Sequence, residues 1–323
     1  MPRYLTGIQS SGKPHLGNVL GAIEPALELS KNNPPAFYFI ADLHTLTSSK
    51  DPRALRQNTL EVAAAWLACG LDVHKDVFYR QSQIPEVCEL AWYLNCFAPY
   101  PMLANAHSFK DKAENLASVN AGLFVYPMLM AADILLYDAQ IVPVGKDQKQ
   151  HLEMTRDVAE AFNRTMGQTF VVPQPFIRQD VMTVPGIDGR KMSKSYHNAI
   201  NIFDDEKALR KRVMSIVTDA TPLEDPKNPE TCTVFALYKA VAPPAAVEDM
   251  RRRYLEGHYG YGQAKQALFE ALTERFRDAR EKFKYYVENP QIVEELLRLG
   301  EEKARAVARP VLERVRKTLG YEV

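Results

Sequence analysis

The chain is predicted to be α/β: a doubly wound parallel sheet with helices on both faces, followed by an α-helical domain. Three observations predict this. Up to about residue 195, short apolar runs alternate with stretches of helical spacing. A strand–helix–strand–helix order implies parallel strands covered on both faces. Beyond that point helical spacing dominates and no strand pattern is convincing. The length, 323 residues with 46% hydrophobic, suits one large domain or two unequal ones.

Arg3–Ile8 reads as the first strand, and the next helix is expected from about Leu16 to Leu29, ending before Asn32-Asn33-Pro34-Pro35. Phe37–Asp42 is a short apolar run ending in Asp, the pattern of a buried strand. Asp51-Pro52 opens a helix with Leu55, Leu60, Ala64 and Leu67 on one face. Asp76–Arg80 reads as a strand, Pro85 starts a helix carrying Leu90, Tyr93 and Leu94, and Gln140–Val144 reads as a strand before a helix over about Gln148–Asn163. In the second part helices are expected over Ala208–Val217, Val234–Val241, Ala264–Tyr286 and Ile292–Leu319, broken by Pro222, Pro226, Pro229 and the Pro243-Pro244 pair. No internal repeat or low-complexity tract appears.

Composition excludes several classes. No apolar run approaches the roughly 20 residues needed to cross a bilayer. The N-terminus lacks a signal-peptide core, because Gly7 and Gln9 interrupt it; a cytoplasmic protein is expected. The four cysteines, Cys69, Cys88, Cys96 and Cys232, form no C-x-x-C pair, so buried reduced thiols are expected rather than a metal centre. Net charge is zero, which gives no bulk signal for nucleic acid. The clusters Lys207/Arg210/Lys211/Arg212 and Arg251/Arg252/Arg253 read as solvated helix faces.

Gly7-Ile8-Gln9-Ser10-Ser11-Gly12-Lys13-Pro14 matches G-x-x-x-x-G-K and then departs from a P-loop. A P-loop needs Ser or Thr after the lysine, because that hydroxyl binds Mg²⁺; Pro14 has neither a hydroxyl nor an N–H. A P-loop-like NTPase therefore stays open as an alternative with its key position wrong. The next residues, His15-Leu16-Gly17-Asn18, form another candidate nucleotide loop. Gly17 lets a nucleotide approach the backbone. His15 and Asn18 are short polar groups at a helix start, where the dipole also favours phosphate. Read alone, the segment is equally a polar turn capping a helix. Lys191-Met192-Ser193-Lys194-Ser195 follows in a turn-rich stretch with Pro185, Gly186, Asp188 and Gly189. Its two lysines and two serines supply cations and hydroxyls for a triphosphate; read alone, it is a basic surface loop.

Together these two segments resemble the HIGH and KMSKS signatures of class I aminoacyl-tRNA synthetases, in the family's chain order. Tyr126–Tyr137, Val142–Glu153, the opening Thr6-Gly7-Ile8-Gln9 and Ala41-Asp42-Leu43-His44 resemble the tryptophan/tyrosine subgroup, and within it the bacterial-type tryptophanyl enzymes. The resemblance runs through residues 4–195 and continues more faintly at Thr218-Asp219 and Gly257–Gly260. It implies a Rossmann-like catalytic domain over residues 1–199 with a dimer-interface insertion at about 75–140, a helical anticodon-binding domain over 200–290, and a C-terminal helix over 291–323 packing back on the catalytic domain. It also implies ATP as a substrate with Mg²⁺ on its phosphates, L-tryptophan and tRNA(Trp) as further partners, and a homodimer. Tyrosine activation on the same scaffold stays open, because Gly-x-Asp-Gln-x-x-His occurs in forms of both.

By resemblance, Gln9, Ser10, Ser11, Gly17, Asn18, Gly145, Lys146, Asp147, Val181, Lys191, Met192, Ser193, Lys194 and Ser195 hold ATP. His15, Asn18, Lys191, Lys194 and Lys112, the last in Phe109-Lys-Asp-Lys112, stabilise charge on the reacting phosphates. Asp147–Gln150 also has the D-x-x-Q form of a helix capping box. Asp133 lies in an otherwise apolar helical stretch, and a buried carboxylate must be paired; by its residues alone it is an Asp bonded to backbone. By resemblance it accepts the indole N–H of tryptophan, with Leu5, Tyr126 and Met130 as apolar walls and His44 and Gln148 as polar contacts. The family often carries an aromatic at the position of Leu5, so that wall is expected to be less tight. Editing is expected to be unnecessary, because a site built for a donor rejects analogues lacking it.

Overall fold

The computed structural model describes residues 3–31, 35–106, 109, 119–145, 148–177 and 183–321. Five strands are named: β1 (Tyr4–Ile8), β2 (Ala36–Ile40), β3 (Val77–Arg80), β4 (Ile141–Val144) and β5 (Gln174–Ile177). They form one sheet in the order β3-β2-β1-β4-β5, every pairing parallel. Residue alternation along each strand divides the core. Tyr4, Tyr38, Ile40 and Phe78 enter one apolar cluster, while Leu5, Phe37, Phe39 and Tyr79 enter the other. This is the two-sided burial that the continuous apolar strands predict. β5 has no counterpart in the sequence expectations: Pro173 and Pro175 speak against a strand, and Pro is tolerated here because β5 is at the sheet edge.

The helices of the first part are α1 (Leu16–Asn18), α2 (Glu24–Ser30), α3 (Asp42–Thr45), α4 (Pro52–Ala68), α5 (Glu86–Phe97), α6 (Tyr100–Ala104), α7 (Ala121–Leu135) and α8 (Lys149–Met166). α1 and α2 are joined by a π turn, Val19–Ile23, so the single helix expected over 16–29 is one continuous coil with a wider middle. Asp42, expected at the end of a strand, instead opens α3. Asp51 caps α4 by accepting from the N–H of Arg53 and Ala54. Leu55 and Leu60 are only half-buried, whereas Val62–Ala68 is buried on every side, because the second half of α4 lies between the sheet and the helical part.

The second part holds α9 (Glu206–Met214), α10 (Thr233–Val241), α11 (Pro244–Glu256), α12 (Tyr261–Arg275), α13 (Arg277–Glu288) and α14 (Pro290–Thr318). Pro244 does more than end a helix: at the first turn of α11 its missing N–H costs nothing and its fixed φ suits the helix. The helix expected over 264–286 is two, broken at Phe276. These helices share the first apolar cluster with the sheet, through residues such as Leu209, Leu268, Val293 and Leu297. α14 runs back over β3, where Ala304, Ala308, Leu312 and Val315 enter the second cluster. Arg251 pairs with Glu230, Arg253 with Asp249 at 2.8 Å, and Arg212 donates to the carbonyl of Ala199 at 2.7 Å. Of the cysteines only Cys232 is buried; Cys88 and Cys96 are exposed, because they lie on the outer face of α5, opposite Val87, Leu90 and Leu94. Among the described residues no helix is long and apolar enough to cross a membrane.

Candidate active site

The strand order reverses between β1 and β4, and open α/β sheets bind ligands at the carboxyl ends of strands beside such a reversal. The pairing of β1 with β4 covers only Tyr4 and Ile141, and Pro143 has no N–H to extend it. A cavity of about 770 Å³ opens there, within the size range of ligand pockets. One end is built from the loop after β1, the start of α1 and the Lys191–Ser195 segment. The other reaches α3 and α7.

At the first end, His15 and Asn18 cap α1 reciprocally. The N–H of Asn18 donates to His15 Nδ1 at 3.2 Å, and the N–H of His15 donates to Asn18 Oδ1 at 3.1 Å. With Nδ1 accepting, the neutral ring carries its proton on Nε2. Burial, then the nearby Lys194 ammonium, lower its pKa to about 4, so the imidazole is neutral at pH 7. The cap thus leaves two neutral donors, His15 Nε2–H and the Asn18 amide. Gly17 packs under Met192, whose Sδ accepts from its N–H at 3.4 Å; a Cβ on Gly17 would stand 3.4 Å from Met192 Cβ and 3.1 Å from the His15 ring.

The Lys191–Ser195 segment is held at its base by Asn198, which is buried. Asn198 Oδ1 accepts from the N–H of Ser193 at 2.8 Å, and its Nδ2 donates to Asp188 and to the carbonyl of Lys191. Met192 N–H donates to the carbonyl of Val184 at 2.9 Å. Lys191, Met192, Ser193 and Ser195 line the cavity, as do Gln9, Gly17, Gly145 and Gln148. Three expected residues are placed otherwise. Ser10 is fully buried and bonds Thr45 Oγ1 at 3.0 Å. Ser11 is exposed, and its carbonyl and that of Gly12 accept from Lys194 Nζ, at 3.1 and 2.6 Å. Lys194 therefore ties the two loops together outside the cavity wall; burial, against an opposing effect of Glu61, lowers its pKa to about 8. Lys112, Lys146, Asp147 and Val181 lie outside the described residues. Helix α8 begins at Lys149 with Gln148 at its N-cap, and Gln148 Oε1 bonds His151 Nδ1 at 2.9 Å instead of capping the backbone.

At the other end Asp133 is 2% exposed and bonds side chains, not the backbone as its residues alone suggested. His44 Nε2 lies 2.9 Å from its Oδ2, and Gln81 Nε2 donates to both oxygens. Burial raises its carboxyl pKa, and the hydrogen bonds from His44 and Gln81 act against that rise. Leu5, Tyr126 and Met130 form walls around it. Tyr126 OH bonds buried His151 Nε2 at 3.0 Å, and its ring meets His44 edge-on. Phe39 is a wall that sequence reasoning did not single out. It pairs with Gly7, where a Cβ would lie 2.4 Å from its ring; only the sheet register reveals the match. Gln81 was also not singled out, since it belongs to no recognisable spacing, and His151 was read only as the last residue of the Gly-x-Asp-Gln-x-x-His stretch, with no role of its own.

The geometry separates neutral donors and Lys191 at one end from a buried acceptor at the other, an arrangement for a phosphorylated ligand joined to a small donor-bearing group. Among the described residues no group of three His, Cys, Asp or Glu is placed to hold a metal ion. The P-loop alternative fails on Lys13, whose Nζ pairs with Asp204 at 2.9 Å, away from the cavity wall.

Comparison with known proteins agrees with this chemistry. The family model of class I tRNA synthetases (W and Y) matches residues 1–277. A tryptophan–tRNA ligase of Campylobacter jejuni is 45% identical over 318 residues, covering 98% of this chain and 99% of that protein. One from Rhodopirellula baltica is 46% identical with the same coverage. The crystal structure of the Campylobacter jejuni tryptophanyl-tRNA synthetase complexed with ADP and tryptophan superposes with a TM-score of 0.94 at 45% identity, covering 98% of this chain and 99% of that one. The chain belongs to the class I tRNA synthetases of the tryptophan and tyrosine group.

Proposed function

We propose that the chain activates L-tryptophan with ATP and loads it onto tRNA(Trp). The observation that carries this is a single cavity with both nucleotide signatures at one end and the buried Asp133 carboxylate at the other. In the first step the tryptophan carboxylate, ionised at neutral pH, attacks the α-phosphorus. The bond to the β-phosphate oxygen breaks, leaving tryptophanyl-adenylate and pyrophosphate. In the second, a terminal ribose hydroxyl of the tRNA attacks the acyl carbon, loses its proton, and AMP departs. No general base is needed for the first step, so the protein's work is positioning and charge stabilisation.

His15 Nε2–H and the Asn18 amide donate to phosphate oxygens, and Lys191 and Lys194 supply positive charge; Lys112 is proposed to join them. Mg²⁺ enters on the triphosphate. Lys194 must release the carbonyls of Ser11 and Gly12 to reach the phosphates, which makes closure of its loop the conformational step. Lys194→Ala is therefore expected to slow adenylate formation by roughly a hundredfold while tryptophan affinity holds. A wild-type rate of pyrophosphate exchange in this variant would contradict the role.

Asp133 accepts the indole N–H, a donor with no acceptor of its own. Tyrosine is the rival substrate on this scaffold, and the relatives at 45–46% identity, both named tryptophan–tRNA ligases, favour tryptophan. Helices over residues 200–290 are proposed to meet the tRNA anticodon, and a homodimer is proposed through residues of about 75–140, where Trp92 and Tyr100 are exposed. Sedimentation of a stable, active monomer would refute the dimer. The cytoplasm, where tRNA is charged, is the proposed site of action. The function itself is tested by amino-acid-dependent ATP–pyrophosphate exchange across all twenty amino acids. Exchange with tryptophan alone is expected; exchange with tyrosine would overturn the Asp133 reading, and none at all would remove the activation step.

A further inference from the structure

The acceptor at the inner end of the cavity is held by a side chain without an assigned role. Gln81 follows β3 directly, in the single 3-10 turn Gln81–Gln83, and is 1% exposed. Its Oε1 accepts from the backbone N–H of Leu43 at 3.2 Å and of His44 at 3.4 Å. Both N–H groups belong to the first turn of α3, which has no partners for them within the helix. This fixes the orientation of the amide, with oxygen toward α3 and nitrogen toward α7. Nε2 then stands 2.8 Å from Asp133 Oδ1 and 2.9 Å from Oδ2.

A carboxylate has about four acceptor positions. Gln81 occupies one on each oxygen, and His44 occupies a second on Oδ2. Among the described residues, the position left open is on Oδ1. The neighbouring pair, Asp42 and Ser82, braces the same junction: Ser82 N–H donates to Asp42 Oδ1 at 2.9 Å and its hydroxyl bonds Oδ2. α3 and the end of β3 are thus joined through Ser82 as well as through Gln81, whose amide cannot turn without breaking bonds to α3 and to α7.

We propose that Gln81 is a positioning residue for amino-acid selection: clamping both oxygens of Asp133 with one amide, it leaves a single acceptor on Oδ1 for an aromatic N–H donor. This rests on the reading that the indole meets Asp133. Gln81 touches no reacting atom. Its effect passes through the direction and acceptor-only state of the carboxylate, so it acts on which amino acid is accepted and not on phosphate chemistry.

The test uses pyrophosphate exchange by the full chain with two substrates of nearly equal shape: tryptophan and β-(benzothien-3-yl)alanine, in which sulfur replaces the N–H. Wild type, Gln81→Met and Gln81→Glu are compared. Methionine removes the amide at similar volume. Glutamate keeps an oxygen for Leu43 and His44 but sets a second carboxyl against Asp133, which cannot remain fully ionised beside it. Wild type is expected to prefer tryptophan. Both variants are expected to lose roughly ten- to hundredfold of that preference, through a higher KM for tryptophan with kcat and the KM for ATP retained. A packing role alone would depress both substrates in proportion, so an unchanged preference in whichever variant folds overturns the proposal. Absence of a preference in wild type would overturn the indole reading beneath it, which separates the two failures.

Discussion

Replacing Asp133 by alanine is expected to cut the preference for tryptophan over phenylalanine by roughly a hundredfold or more, because hydrogen bonds to a charged, water-excluded group are the strong ones. The loss is expected in kcat/KM for tryptophan, with the KM for ATP nearly unchanged, since Asp133 lies at the far end of the cavity from the nucleotide loops. Stability is the less direct readout, because two effects oppose. Burial raises the folded-state pKa of this carboxyl, so the folded state binds its proton more tightly than the unfolded chain. The ionised form therefore costs stability above the folded pKa, and that cost fades as pH falls toward the unfolded value. Alanine removes the cost but leaves His44 Nε2 and Gln81 Nε2 as buried donors without an acceptor, at about 1–3 kcal/mol each. The net is expected to be destabilising. Measured specificity for tryptophan over phenylalanine equal to wild type would remove Asp133 from the pocket.

Gly300→Ala is expected to destabilise the fold by about 3 kcal/mol or more, with no change in any group that lines the cavity. Gly300 is where α14 crosses β3. A Cβ there would lie 1.7 Å from the carbonyl oxygen of Phe78, 2.6 Å from its carbon and 2.9 Å from its nitrogen. All three are backbone atoms of a strand paired to β2, so the neighbour cannot rotate aside as a side chain would. Alanine gains about 1 kcal/mol in helix propensity, less than the overlap costs. The same crossing holds Glu301, 3% exposed, against Arg80 Nε at 2.6 Å, and Lys303 Nζ against the carbonyl of Val73 at 2.7 Å. Displacing α14 would disturb both. The check is thermal or urea unfolding of the two proteins side by side; equal midpoints would mean that α14 does not approach β3 so closely.

The strands β1 to β4 were legible because their runs are short, largely apolar and bounded by turn residues. β5 was not, because an edge strand tolerates prolines that mark a loop elsewhere. α11 was hidden by the rule that makes Pro243-Pro244 a breaker: the same ring that ends one helix is suited to begin another. The end of the cavity proposed for the nucleotide was visible in sequence, since His15, Asn18 and Lys191–Ser195 sit in two local signatures. The placements of Ser10 and Lys194 were not. Ser10 turns inward to Thr45 and Lys194 turns to the carbonyls of Ser11 and Gly12, and a short motif carries no information about which way each side chain points.

The sequence by itself determined the α/β-then-helical order, the two nucleotide signatures and the presence of a carboxylate in an apolar helix, because these depend on local spacing and on residue type. Tertiary structure decided what surrounds that carboxylate. Gln81 reaches Asp133 from the turn after β3 and His44 from α3, Phe39 meets Gly7 through sheet register, and Gly300 meets Phe78 through helix–sheet packing. Each of these contacts joins residues dozens to hundreds of positions apart. Their partners are fixed by how strands align and helices cross, which depends on the packing of the whole core and not on any local pattern.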